Sequence, residues 1–456
     1  MRGSYKAMKI DWVSTLSYFG ARSDDIVVLD DNEDPSILPY LDLIEGRLKL
    51  PHLMPEAVIQ VQRQPLLYLY SEAHLSNVPQ TGNRLSQIKR LMAMRGDAAL
   101  IGILRPGILE LHTTSLDPKQ GNRQFEINQQ DIDAGWLIPR IAQGNSPVPF
   151  AEKFIETELF RLLEESAKDL SEADLPVEEI VSLTGRAVFM RFLLDREILQ
   201  RGKEAPFLLL RDRSPEQAFA TPQNAAATCL WLDKTFNGDL LPLPNKDLET
   251  YFTSLAQGKN GSLIFKALQA ILNFDDPLGG GAYQGRLDWG DLHLAHVPVG
   301  LLSQVYERYM EMFYPKARKA TSAYYTPRHI AEFMVDEAFY GLDQPHQAKV
   351  LDPAAGAGVF LVAAFHKLVE ARWRQDGKRP DRSALRDILN HQIRGFDVNC
   401  HALKLAALSL YLTRLELDPE PSPLEALRFE SLQGKVLFNW SSADSSEQDL
   451  LRPTVG

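Results

Sequence analysis

Apolar residues recur every third or fourth position through FAEKFIETELFRLLEESAKDL (150–170), VEEIVSLTGRAVFMRFLLDREIL (177–199) and VGLLSQVYERYMEMFY (299–314). This spacing predicts three amphipathic helices. In the last of them Tyr306, Tyr309 and Phe313 are expected in the core. Elsewhere the pattern shortens. QPLLYLY (64–70) predicts a strand and RLSQIKRLMAM (84–94) a helix. DAALIGILRPGILELHTTSL (97–116) predicts a hairpin turning at Arg105-Pro106-Gly107. Farther on, KVLDP, VFLVAAFHKLVEARWR, QIRGFDVN and HALKLAALSLYLTRLEL read in order as strand, helix, strand, helix. That is the βαβα opening of a doubly wound parallel sheet. Three zones follow: a small α+β module over 1–145, a mainly helical domain over 146–320 and an α/β zone over 321–456. The glycine-rich DDPLGGGAYQGR (275–286) lacks strand-turn-helix context and reads as an exposed connector. After about residue 430 the chain thins into Ser, Asp and Gln, leaving a sheet of two strands.

Composition narrows the class. With 456 residues, two or three domains are expected, and 45% hydrophobic residues are ample for their cores. A formal charge of -11 announces no global nucleic-acid binder, although a local basic face suffices for one. Cys229 and Cys400 stand far apart without metal-ligand spacing, so neither a disulfide framework nor a zinc site is expected. The N-terminus lacks the apolar core of a signal peptide, and no run of about 18 apolar residues suggests a membrane span. A soluble, cytoplasmic protein is the expectation. In the first zone, no acid followed by acid-x-Lys on a strand supplies a nuclease pattern; Glu45-Gly46-Arg47 and VIQVQRQ (58–64) do not provide one.

The chemistry concentrates at VLDPAAGAGVF (350–360). A glycine-rich turn between strand and helix admits a ligand close to the backbone. A dinucleotide fingerprint would read G-x-G-x-x-G. Here the order is Asp352, Gly356, Gly358, with Leu361 where the third glycine would stand. A carboxylate at the turn repels a pyrophosphate and accepts from an ammonium group. A ligand with an amino-acid end and a nucleoside end fits, and S-adenosylmethionine is such a ligand. Asp397 closes the second strand in GFDVN, where a carboxylate accepts from both ribose hydroxyls. Asp397 suits either cofactor, and Asp352 also suits the N-cap of the following helix.

A third element is TSAYYTPRHIAEFMVDEAF (321–339). Thr326 reads as an N-cap, Pro327 as the first helical residue, and Ile330, Phe333, Met334 and Ala338 as one apolar side. Capping has no use for the adjacent Tyr324 and Tyr325. AYYTP, LDPAAGAGVF and GFDVN, in that order, resemble the N6-adenine DNA methyltransferases with the γ arrangement of motifs, the modification parts of type I and type IIG restriction-modification and related phage-defence systems. The resemblance covers about 150–456, since FMRFLLDREIL, FNGDLLPL and LLSQVYERYM also precede YYTP in the family's order. It implies a Rossmann-like S-adenosylmethionine-dependent domain, here incomplete, behind the helical domain and the α+β module. It further implies that Tyr325 and Thr326 touch the methionine end, Asp352 receives the ammonium group, Ala354, Gly356 and Gly358 line the turn, Phe360 closes over the cofactor and Asp397 holds the ribose. Ala355 is one of the two residues, Cys or Ala, usual in the family, and Ala357 departs from the usual Ser. Losing the hydroxyl at 357 removes at most one hydrogen bond, worth about 0.5–1.5 kcal/mol.

The family activates adenine with (D/N)-P-P-(Y/F/W), whose oxygens accept the hydrogens of the exocyclic amine while the aromatic ring stacks on the extruded base. No such tetrapeptide occurs in this sequence, and the catalytic residues are therefore unassigned. The resemblance implies the N-terminal part of a longer enzyme that methylates adenine in DNA. The alternative is a non-catalytic, cofactor-binding subunit of a split methyltransferase, with a second polypeptide as partner. A dinucleotide-linked enzyme is a third reading. Lys316, Arg318 and Lys319, just before YYTP, are candidate phosphate contacts, and RWRQDGKRPDR (372–382) is a second basic cluster.

Overall fold

The computed structural model describes residues 10–29, 34–76, 81–116, 124–151, 155–196, 198, 217–237, 241–244, 247–284, 294–313, 326–419 and 430–440. The chain divides into two compact units, Met1–Ile155 and Glu156–Gly456.

The first unit contains, in order, α1 (Trp12–Ser17), β1 (Ile26–Val28), α2 (Leu41–Lys49), β2 (Ala57–Val61), β3 (Gln64–Ser71), α3 (Glu72–Ser76), α4 (Thr81–Met94), β4 (Leu100–Arg105), β5 (Ile108–Thr113), β6 (Gln124–Asn128) and α5 (Leu137–Ala142). The predicted strand, helix and hairpin of this zone are all present. The six strands lie in sequence order, antiparallel except for β3 against β4. That parallel pair needs the crossover that α3 and α4 supply. Alternation along the strands sends Leu67, Leu69, Leu109 and Leu111 into a core shared with Trp12, Leu16, Phe19 and Ile138. The residues between them carry polar groups. Buried Arg95 donates to the Tyr68 hydroxyl at 2.9 Å and pairs with Asp97 and Asp42. On β5, Glu110 lies 2.8 Å from His112 and 2.8 Å from the Arg105 guanidinium.

The second unit begins with helices α6 (Ile155–Glu172), α7 (Val177–Asp195), α8 (Pro222–Leu232), α9 (Leu248–Gln257), α10 (Gly261–Asn273) and α11 (Val299–Phe313). Tyr309 is fully buried, accepts from the Thr184 hydroxyl at 3.1 Å and meets Phe313 edge-on. The glycine-rich connector folds as a hairpin, β7 (Asp276–Gly279) with β8 (Ala282–Gln284), rather than remaining an open loop. Gly279, Gly280 and Gly281 turn it with positive φ, and Tyr283 donates to Asp169 of α6 at 2.6 Å.

The α/β part follows as α12 (Arg328–Phe339), β9 (Val350–Asp352), α13 (Val359–Asp376), α14 (Arg382–Gln392), β10 (Ile393–Asp397), α15 (Cys400–Leu417) and β11 (Leu437–Asn439). The expected βαβα order is there, with two corrections. The crossover holds an additional helix, α14, which Asp381 caps by accepting from the Ala384 amide at 2.9 Å. The sheet has a third strand, β11, inside the segment read as a thinning tail. All three strands are parallel, in the order β11-β10-β9. Gly395 in the middle strand faces Asp352 on one side and Leu437 on the other. A Cβ on Gly395 would stand 2.6 Å from the Leu361 side chain, so only glycine lets α13 close this tightly onto the sheet. Helix α15 is buried along nearly its whole length, and the Ser303 hydroxyl of α11 donates to Ser409 of α15 at 2.7 Å. The helical part and the sheet are therefore packed as one body.

The buried face of α12 is Ala331, Val335 and Phe339, whereas Ile330, Phe333 and Met334 are 42–52% exposed. In the second basic cluster Arg372 pairs with Asp376, Arg374 with Glu370 and Arg382 with Asp418, while Arg379 donates to the Leu417 carbonyl.

Candidate cofactor site

Two strand tips and the turn between β9 and α13 build the site. β9 ends at Asp352, whose Oδ1 accepts the Ala354 amide at 3.0 Å. Its Oδ2 is buried and has no hydrogen-bond partner among the described residues. Burial raises the carboxyl above its ordinary range, the Ala354 amide opposes that, and the charge of Asp397 adds to it. A buried acceptor left open in this way is a demand for a donor. The helix cap is not its job, because Gly358 occupies the N-cap of α13 without a side-chain bond.

The turn is closed by backbone. The Ala355 amide donates to the Phe396 carbonyl at 2.8 Å, and the Gly358 amide to the Ala355 carbonyl at 2.8 Å. Gly356 and Gly358 take φ of +53° and +89°, the left-handed region open to glycine. Ala354 is exposed at the rim, and Phe360 is half-buried in the first turn of α13.

β10 ends at Asp397, beside the turn. Its Oδ2 accepts the Gly356 amide at 2.8 Å, and its Oδ1 accepts the Asn399 amide at 2.7 Å. The carboxylate therefore ties the glycine turn to the second strand, a task for which local sequence gives no signal. Each oxygen keeps a further lone pair for a ligand.

Thr326 is half-buried just before α12 but is not its cap. Pro327 takes the cap position, with extended backbone (ψ 139°), and its carbonyl accepts the amides of Ile330 and Ala331 at 3.0 and 3.1 Å. The helix thus starts one residue later than the Thr-Pro pair suggests. A cavity lined by Gly300, Arg328, Glu332, Val359, Ala363 and His366 joins the first turns of α12 and α13. Tyr325, like Lys316, Arg318 and Lys319, lies outside the described residues.

Sequence reasoning missed Trp440, the residue after β11. Its amide donates to the Asp397 carbonyl at 3.0 Å and its indole Nε1 to the Pro353 carbonyl at 3.1 Å. Its ring lies 4.9 Å from that of Phe396. The run VLFNW (436–440) was the available signal. Among the described residues, no group of three or more His, Cys, Asp or Glu is placed to hold a metal ion, and no helix is long and apolar enough to cross a membrane.

Residues 299–420, which hold both carboxylates and the turn, match the family model described as N-6 DNA Methylase. No curated protein matches the chain. Among solved structures, the chain is 16% identical to one described as the cryoEM structure of a DrdV–DNA complex, with a TM-score of 0.30 over 81% of this chain and 33% of that one. It is 17% identical to the type I restriction-modification system methyltransferase subunit from Streptococcus thermophilus, with a TM-score of 0.30 over 66% of this chain and 60% of that one. The chain thus spans a third to three-fifths of the length of these two. The motif-based recognition and the family model fall on the same residues, and the 299–420 segment is similar to the N-6 DNA methylases.

Proposed function

We propose that this chain is the cofactor-binding part of a site-specific DNA adenine-N6 methyltransferase of a restriction-modification or phage-defence system, working in the cytoplasm. The observation that carries this reading is the open, buried Oδ2 of Asp352 beside a glycine turn, within the methylase segment. S-adenosylmethionine, when bound, supplies an activated methyl group. Asp352 accepts from its ammonium group, and burial strengthens that charge-assisted bond. Gly356 and Gly358 present bare backbone to it, and Ala354 and Phe360 border it. Asp397 uses its remaining lone pairs on the ribose hydroxyls. Tyr325 and Thr326 meet the methionine end, and Lys316, Arg318 and Lys319 contact DNA phosphate.

The sequence has no (D/N)-P-P-(Y/F/W) tetrapeptide to hold the adenine amine. In a second reading the chain binds the cofactor while another polypeptide supplies those groups. Two features support a covering partner. Among the described residues β9 has a neighbour on one side alone, with Leu351 43% exposed. Helix α12 is apolar on both faces, and such a helix is ordinarily covered on both.

Calorimetric titration of the purified chain with S-adenosylmethionine tests the proposal, with NAD as control. Saturable binding of the former, lost in Asp352→Ala, supports it. NAD binding in preference would turn the assignment to a dinucleotide-linked enzyme.

A further inference from the structure

The Pro353–Ala354 peptide unit is held at both polar ends. Its carbonyl accepts the Trp440 indole N–H at 3.1 Å, and its amide donates to Asp352 Oδ1 at 3.0 Å. Trp440 is fixed in turn by its own amide on the Asp397 carbonyl and by its ring against Phe396. Phe396 stacks on Phe438 at 4.9 Å and an interplanar angle of 17°. The residue just after the third strand thus bridges the ends of both acid-bearing strands, by its backbone amide on one and its indole on the other. Bonding the carbonyl fixes the peptide plane, the plane fixes the amide, and the amide occupies Oδ1 of Asp352. Oδ2 is then the oxygen left for a ligand.

We infer that Trp440 is a positioning residue for the cofactor site, orienting Asp352 through the Pro353–Ala354 peptide. The inference rests on the proposed S-adenosylmethionine site for its ligand, and on the structure alone for its geometry. Trp440→Phe keeps an aromatic ring on Phe396 and removes the indole donor. Phe438→Leu weakens the stack and leaves the donor.

The test pairs hydrogen exchange with titration. In the ligand-free chain, Trp440→Phe is expected to speed amide exchange in a peptide spanning 352–358, with strand β10 unchanged. It is also expected to weaken S-adenosylmethionine binding about two- to tenfold, the loss of one neutral hydrogen bond. Phe438→Leu is expected to lower Tm without singling out that peptide. Should Trp440→Phe unfold, Trp440→His restores an N–H donor on a smaller ring, and renewed protection of 352–358 supports the inference, whereas its continued loss overturns it. Unchanged exchange at 352–358 in a folded Trp440→Phe overturns it as well. Wild-type binding with an equally tight Trp440→Phe removes Trp440 and leaves the cofactor site standing. A wild-type chain that binds no S-adenosylmethionine removes the proposed function, and the ligand of this inference with it.

Discussion

The Asp397 carboxylate accepts the amide of Gly356 at 2.8 Å, across 41 residues of sequence. This bond joins the second strand to the glycine turn of the first, and with the Asn399 bond it engages both oxygens. A residue assigned to a ligand from its place at a strand tip is therefore also a structural brace.

Asp397→Ala should consequently do more than weaken binding. Two hydrogen bonds to a charged acceptor are lost, each worth roughly 1.5–3 kcal/mol. Thermal denaturation is expected to show a clear fall in Tm, together with loss of S-adenosylmethionine binding by calorimetry. A variant with wild-type Tm and no binding would confine Asp397 to the ligand.

Asp352→Asn separates the two effects in the opposite sense. Its carboxyl is raised by burial, so between 3.8 and the raised value the folded chain binds more protons than the unfolded chain. Stability therefore falls as pH rises through that window, and the ionised group costs stability above it. Asp352→Asn removes that cost and keeps an acceptor for the Ala354 amide. It is expected to match or exceed the wild-type Tm at pH 7 while binding S-adenosylmethionine roughly 10- to 100-fold more weakly, as for a lost charge-assisted bond. Wild-type affinity should also decline as pH falls through the same window. Affinity independent of pH there would count against Asp352 as the ammonium acceptor.

In the first unit, His112 is held down to about 4 from 6.5 by burial first, then by Lys89 and Arg105, with Glu126 opposing. The nearest carboxylate, Glu110, is shared with Arg105. A histidine buried neutral leaves the unfolded chain binding more protons between those values. Stability is full above 6.5 and is lost as pH falls toward 4, by roughly 3 kcal/mol. His112→Gln is expected to flatten that stretch of the stability–pH curve in urea titrations. An equally steep curve in the variant would move the effect to other groups.

Gly358→Ala places a Cβ 2.9 Å from that of Ala406 on a backbone at φ +89°. Strain and overlap act together, and a loss of more than about 1 kcal/mol is expected from denaturant unfolding. Phe333→Lys, on the exposed side of α12, is expected to stay within about 0.5 kcal/mol of wild type in the same measurement. A large loss there would show that the stripe is already covered in solution.

The sequence by itself determined the local grammar of the site: an apolar strand, a turn of small residues, a helix, and a carboxylate at each of two strand tips. These are settled by neighbours along the chain, so periodicity and turn chemistry report them. Tertiary structure decided the rest. Helix α12 has apolar stripes on both sides, and periodicity states that a stripe exists without stating which one packs; the contact with α13 chose Ala331, Val335 and Phe339. Three-residue β11 has too little local propensity to announce itself, and it exists through its register with β10, 42 residues earlier from Leu437 to Gly395. Trp440 reaches Pro353 and Asp397 because that register brings it there, and hydrogen bonds at this range leave no mark on the spacing of residues.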